Sequence, residues 1–308
     1  MREVIRIKEI VIIYNLHSGK KEIRRDLKST KEIFKGYGYS YSYIKTKYKE
    51  HAKEIVENLR EVDLVITIGG DGTFNESVSG NLRRKKPLTL SHIPVGTTND
   101  LGSIFCLGKN MIQNLHLILS GETSNIDICI INNRPFVYVG GFGKFMNIPY
   151  DTCRKQKKKL GYLAYVLNIV KDFITGKTKS YDIEYEVNGE THKEKCSFAI
   201  ISNSNQIAGI KNFYKDVKIN DGQFEVLICN LRTRTQILRG LIAIASSNVK
   251  KSQGFKYYRT NNLKIKFDTE LEKPWCVDGE KYDGNTLEYE IKVDNSIKML
   301  LPKIALKK

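Results

Sequence analysis

The sequence predicts two domains of different class: a doubly wound α/β domain to about residue 125, then a mainly antiparallel β-rich domain. Three observations carry this. Short β-branched runs alternate with helical patterns up to Asn125, and strand-like pieces follow one another after it with two clear helical exceptions. The length, 308 residues with 41% hydrophobic content, is enough to bury two cores.

Ile10 to Tyr14 ("IVIIY") is short and wholly apolar, as expected of a parallel strand covered on both faces. In the following "KKEIRRDLKSTKEIFKGYG", Ile23, Leu27 and Phe34 fall near one helical face before glycines stop the helix. Tyr39 to Ile44 ("YSYSYI") alternates like a strand. His51 to Leu59 reads as a helix, Leu64 to Ile68 as a second buried strand and Pro87 to Ile93 as a third. Beyond Asn125 the strand-like pieces are "IDICII", "RPFVYVGGFG", "SYDIEYEVNG", "CSFAIISNS", "GQFEVLIC", "LKIKFD" and "TLEYEI"; the helical exceptions are Leu160 to Ile174 and Thr235 to Val249. Such a run reads as an antiparallel sheet or sandwich.

Lys and Arg exceed Asp and Glu by 51 to 34, a net charge of +17, so the surface should attract phosphates, anionic lipid or nucleic acid. A composition rich in Lys, Ile and Asn throughout explains the same excess without a partner. "RKQKKK" (Arg154 to Lys159) concentrates the charge, either against anionic headgroups or as a solvated loop. The six cysteines are scattered, without C-x-x-C or a Cys/His grouping, which argues against a zinc site or disulfide framework and for a reducing, cytoplasmic setting. Arg6, Lys8 and Glu9 interrupt the first apolar run, unlike a signal peptide, and no segment approaches the roughly 18 uncharged residues of a membrane span. Membrane contact is therefore expected to be peripheral, at the inner face. His17, His51 and Trp275 read as surface or packing residues.

The chemistry is expected where glycine-bearing loops follow strands. "GGDGT" (Gly69 to Thr73) lies between a buried strand and a helical stretch, where free amides and the helix dipole favour an anion. Asp71 could act on a metal carried by a phosphate, or it could only cap the helix. A Walker loop is excluded, because Lys171 stands where its first glycine would precede Gly176-Lys177-Thr178. A dinucleotide fingerprint is excluded by Asn75. "SHIPVGTTNDLG" follows the third buried strand, and in an open α/β sheet Asn15 to Gly19, Gly69 to Thr73 and Gly96 to Asp100 would converge at the carboxyl ends of the strands.

"GGDGTFNESVSG" together with "PVGTTNDLG" resembles the diacylglycerol kinase catalytic domain family, which includes bacterial lipid kinases and sphingosine and ceramide kinases and is related to NAD kinases. "NLHSG", "TKYKEHA", "KKLGYLAY", "INDGQFEV" and "CVDGE" resemble its further motifs along nearly the whole chain. The resemblance implies a Rossmann-like N-terminal domain, residues 1–125 completed by 292–308, and a β-sandwich acceptor domain, residues 126–291, with the active site in the interdomain cleft. It implies ATP and Mg2+ as cofactors and a lipid hydroxyl, diacylglycerol or a related lipid, as acceptor at a membrane surface. Nucleic acid is not an expected partner; a homodimer is.

By the same resemblance Asn15, Ser18, Gly19 and Thr46 would line the ATP site, with Gly69, Gly70, Gly72, Thr73, Asn75, Glu76, Gly96, Thr97 and Asn99 close to the phosphates. Asp71 and Asp100 would hold the catalytic Mg2+, and Glu280 would be the general base on the lipid hydroxyl. A second, structural Mg2+ would sit on Asp221 with backbone oxygens of Lys218 and Gln223. From the residues alone, Asn220-Asp221-Gly222 and Asp278-Gly279 read first as tight turns. The pattern departs from the family at Leu16, where proline is usual, and in "GGFGKFMNI" and "SNSNQIAGIKNFYKD", regions of the acceptor domain. A NAD kinase-like activity on a soluble acceptor and a non-catalytic anion-binding module are the rival readings.

Overall fold

The structure, a computed structural model, describes residues 7–18, 20–96, 100–143, 179–207, 213–214, 217–231, 233–245 and 254–307. The chain divides into two units, Met1–Ile126 with Asn295–Lys308, and Asp127–Asp294.

In the first unit β1 (Glu9–Tyr14) leads into α1 (Lys20–Gly36), β2 (Ser40–Lys45), α2 (His51–Asn58), β3 (Leu64–Gly69), α3 (Asp71–Asn81), β4 (Leu90–Pro94), α4 (Asp100–Ile104) and α5 (Met111–Leu119). The strands pair in parallel in the order β2-β1-β3-β4. Every residue of β3 and β4 is buried, so neither shows the alternation of a half-exposed strand, and the polar Thr67, Ser91 and His92 are buried with the rest. β4 starts at Leu90, beyond Leu88, whose amide goes to the Asn81 side chain at 2.8 Å. On α1 the buried face carries Ile23 and Phe34, but Asp26 and Thr30 fill positions between them. Thr30 Oγ1 bonds the Leu27 carbonyl at 2.8 Å and the Tyr43 hydroxyl at 2.7 Å, which makes a polar residue acceptable on that face.

The second unit begins along β5 (Glu122–Ile131) and continues through β6 (Arg134–Phe136), β7 (Val139–Gly143), β8 (Tyr181–Val187), β9 (Glu190–Cys196), β10 (Phe198–Ser202), β11 (Phe224–Cys229), α6 (Arg234–Ala245), β12 (Phe255–Thr260), β13 (Asn262–Phe267), β14 (Trp275–Val277), β15 (Glu280–Tyr282) and β16 (Glu288–Leu301). One sheet runs β12-β11-β10-β7-β14-β15, all antiparallel; β9-β8-β13 and the start of β16 form the other ladder. Phe142, Phe267, Tyr181, Trp275 and Tyr289 form an aromatic core, with Phe142 edge-on to Phe267 at 4.8 Å between centroids. The end of β16 belongs to the first unit, where Met299 pairs in parallel with Leu90 and Ser91 Oγ bonds the Leu300 carbonyl at 2.8 Å.

This is the predicted α/β domain followed by an antiparallel β-sandwich, with one local difference. "RPFVYVGGFG" is two strands, because the amides of Val137 and Tyr138 leave the ladder for the Asp278 carboxylate. The helix expected over 235–249 is present over Arg234–Ala245, and residues 246–249 lie outside the described residues. The helix expected over 160–174 and the basic run 154–159 lie outside the described residues. The described cysteines, Cys106, Cys129, Cys196, Cys229 and Cys276, are free thiols. No helix among the described residues is long and apolar enough to cross a membrane.

Candidate active site

Parallel pairing places the carboxyl ends of β1, β3 and β4 side by side, and hydrogen bonds join the loops that leave them. Asn15, the first residue after β1, donates its backbone N–H to Ile68 at 2.9 Å and its side-chain amide to Thr73 Oγ1 at 3.2 Å. Its Oδ1 accepts from the His17 amide at 2.9 Å, which turns the chain into the short 3-10 segment Leu16–Ser18. Val95, after β4, donates to the Gly69 carbonyl at 2.8 Å. Thr46, after β2, is buried and donates its N–H to the Tyr14 carbonyl at 3.0 Å. Gly69 is required at the end of β3, since a Cβ there would lie 2.6 Å from Thr73 Oγ1 and displace the hydroxyl that Asn15 holds.

Gly70, in extended backbone, is the N-cap of α3 and offers no side-chain cap; Asp71 and Gly72 are the first two helical residues. Of the two alternatives for Asp71, the helix cap is excluded: Asp71 stands one residue inside the helix. The first amides of a helix have no intrahelical partner, so an uncapped start directly after a buried strand presents donors to an anion. Asp71 adds a carboxylate to the same helix end. Two anions share such a place only with a cation between them, which suits Asp71 to a metal carried by a phosphate.

Asp100 is buried in the first turn of α4. Asn75 is buried within α3, and Glu76 Oε2 accepts from the Ala52 amide at 3.3 Å, completing the start of α2, whose N-cap Glu50 makes no side-chain capping bond. Gly19, Thr97 and Asn99 lie outside the described residues, as does the side chain of Ser18; Gly96 ends the described part of its loop. Beneath α3, His92 on β4 is fully buried against Phe74, its Nδ1 2.8 Å from Thr67 Oγ1. Burial lowers the His92 pKa to about 3, so the imidazole is neutral. Nothing in the sequence distinguished this histidine.

In the second unit Asp278 and Gly279 form the turn between β14 and β15, with φ of 47° and 79°, the two-residue hairpin geometry in which both central residues are left-handed. The turn reading holds, and Asp278 does more than turn. Its carboxylate accepts the amides of Val137 at 2.7 Å, Tyr138 at 3.1 Å and Val139 at 3.1 Å. Glu280 follows on β15, paired with Val277, so its backbone continues directly from the turn that Asp278 anchors. The Glu280 side chain is 44% exposed, with Arg134 Nη2 at 4.0 Å. Sequence reading missed Arg134, whose only signal was its place at the start of a strand.

At the turn where a structural metal is expected, the Asp221 carboxylate already has partners on both oxygens. Asp221 Oδ1 accepts from the Gln223 amide at 3.1 Å, and Oδ2 is engaged by the Arg259 guanidinium. The Gly222 amide goes to Asp127 Oδ2 at 2.8 Å. Among the described residues no group of three or more His, Cys, Asp or Glu side chains could hold a metal ion.

The model of the diacylglycerol kinase catalytic domain matches residues 9–131, and that of the YegS C-terminal NAD kinase beta sandwich-like domain matches residues 139–295. The chain belongs to the diacylglycerol kinase family. It is 28% identical over 301 residues to a diacylglycerol kinase of Bacillus subtilis (strain 168), covering 96% of this chain and 97% of that protein. It is also 28% identical to a diacylglycerol kinase of Staphylococcus aureus (strain MRSA252), covering 92% and 90%. A crystal structure of a diacylglycerol kinase from Bacillus anthracis str. Sterne shares the fold, with a TM-score of 0.74, 20% identity and coverage of 97% of this chain and 98% of that one. The enzyme is thus a lipid kinase, and the joined loops of its first unit are where a phosphate donor is expected.

Proposed function

We propose that this lipid kinase transfers the γ-phosphoryl group of ATP, with Mg2+, to the free hydroxyl of diacylglycerol. The observation that carries the donor half is the uncapped start of α3 held against the loop after β1 by the Asn15–Thr73 bond, with Asp71 in its first turn. Its amides would bind and orient the phosphates, and Thr73 and Asn15 would keep the loops in register. Asp71 and Asp100 would hold Mg2+, their carboxylate oxygens being the donors a hard cation takes. Bound there, the ion would neutralise charge on the transferring phosphoryl oxygens.

Glu280 is the proposed base. It would take the proton of the lipid hydroxyl as that oxygen bonds to phosphorus and the bond to the leaving ADP oxygen breaks. Diacylglycerol is favoured as acceptor because the Bacillus subtilis and Staphylococcus aureus relatives carry that name and align along nearly all of this chain. The excess of basic residues supports peripheral contact with an anionic membrane surface.

The test is incubation with labelled ATP and Mg2+ against detergent micelles of diacylglycerol, a sphingoid base or ceramide, and against NAD in solution. Label is expected in phosphatidic acid, and only when Mg2+ is present. Label in NAD, or in none of the lipids, would reject the reading.

A further inference from the structure

We propose that Arg259 does in this chain the work that the family resemblance would give to a structural Mg2+, so that the second unit holds its Asn220–Gly222 turn without a metal. The turn precedes β11, and its groups are already engaged. Asp127, buried on β5, accepts the Gly222 amide at 2.8 Å and donates its own N–H to the Ile219 carbonyl at 2.8 Å. Asp221 accepts the Gln223 amide with one oxygen and the Arg259 guanidinium with the other.

Arg259 is delivered by sheet register. It lies directly opposite Glu225 in the antiparallel β11–β12 pair, so the two side chains share a face, and its Nε stands 3.8 Å from Glu225 Oε1. Glu225 is only 2% exposed. A guanidinium therefore joins the turn carboxylate to a buried strand carboxylate, with its flat array of N–H donors facing both.

Mg2+ demands near-octahedral oxygen coordination and keeps several waters. At Asp221 it would have to displace the guanidinium from the carboxylate oxygen it holds and then sit beside a permanent positive charge. The cation is already present, covalently attached to the chain.

The inference concerns the second unit alone and does not rest on the acceptor or the nucleotide. Thermal unfolding of EDTA-stripped, nucleotide-free full-length protein would be followed with and without millimolar Mg2+, for the wild type, Asp221→Asn, Arg259→Met and the double variant. The wild-type melting temperature should change by less than about 1 °C on adding Mg2+. Arg259→Met should melt lower in EDTA and recover with Mg2+, because removing the guanidinium leaves carboxylates that a metal can satisfy; the double variant should not recover.

A Mg2+-induced rise in the wild type that Asp221→Asn abolishes would overturn the proposal. A rise that survives Asp221→Asn and is lost in Asp71→Asn belongs to the nucleotide loops and leaves the turn metal-free, as proposed. If Arg259→Met does not accumulate as folded protein, the comparison of wild type with Asp221→Asn decides alone.

Discussion

Mild acid should weaken the first unit through one buried imidazole. His92 is fully buried between β3, β4 and α3, its pKa lowered by burial to about 3 from 6.5, with the Thr67 hydrogen bond opposing the shift only in part. The unfolded chain takes up a proton near pH 6.5 and the folded chain does not, so the unfolded state binds more protons between pH 6.5 and about 3. Stability is therefore full above pH 6.5 and is lost as pH falls, by at most about 1.4 kcal/mol per pH unit. By about pH 5 the loss is roughly 2 kcal/mol, a large part of a typical domain's stability. Denaturant unfolding of the wild type and His92→Gln would be compared across this range by far-UV circular dichroism, because α1 to α5 lie in the first unit while Trp275, the sole tryptophan, reports on the second. The wild type should lose about 2 kcal/mol relative to His92→Gln between pH 7 and about pH 5. Parallel pH curves for the two proteins would refute the reasoning.

Three further outcomes follow from particular contacts. Gly80→Ala would put a Cβ 2.3 Å from the Lys53 carbonyl oxygen, forcing α2 off α3; a cost of about 2 kcal/mol should appear in the same dichroism experiment. Asp278→Ala leaves the amides of Val137, Tyr138 and Val139 without their acceptor and should destabilise the second unit by about 3 kcal/mol, read by Trp275 fluorescence, while Asp278→Asn should cost less because one oxygen remains. Asp71→Asn and Asp100→Asn should lower phosphoryl transfer by at least about a hundredfold with melting temperatures near wild type, measured with labelled ATP and by calorimetry.

The first unit was legible because each step there is local. β3 reads as a β-branched, largely apolar run, glycines follow it at once, and α3 starts where they end, so strand, loop and helix are neighbours in sequence as well as in space. Even the alternative of Asp71 as the helix cap missed by only one residue, since nothing but backbone geometry separates a cap from a first helical position. His92 was not legible: its neighbours on Thr67 and Phe74 come from other elements, and a histidine inside an apolar run looks the same whether it is buried or half-exposed.

The second unit hides its logic at greater range. "DG" occurs at Asp221-Gly222 and at Asp278-Gly279, and both were readable as turns; what each aspartate holds was not. Asp278 reaches back 139 to 141 positions to bind three amides, so a residue that looks like part of a catalytic motif is the anchor that positions Glu280 two places on. Asp221 reaches forward 38 positions to Arg259, and only the register of β11 on β12 makes that residue its neighbour. A carboxylate in a tight turn carries the same letters whether its counter-charge is a hydrated ion or an arginine. The choice is made on another strand, so the letters of the turn do not by themselves reveal its partner.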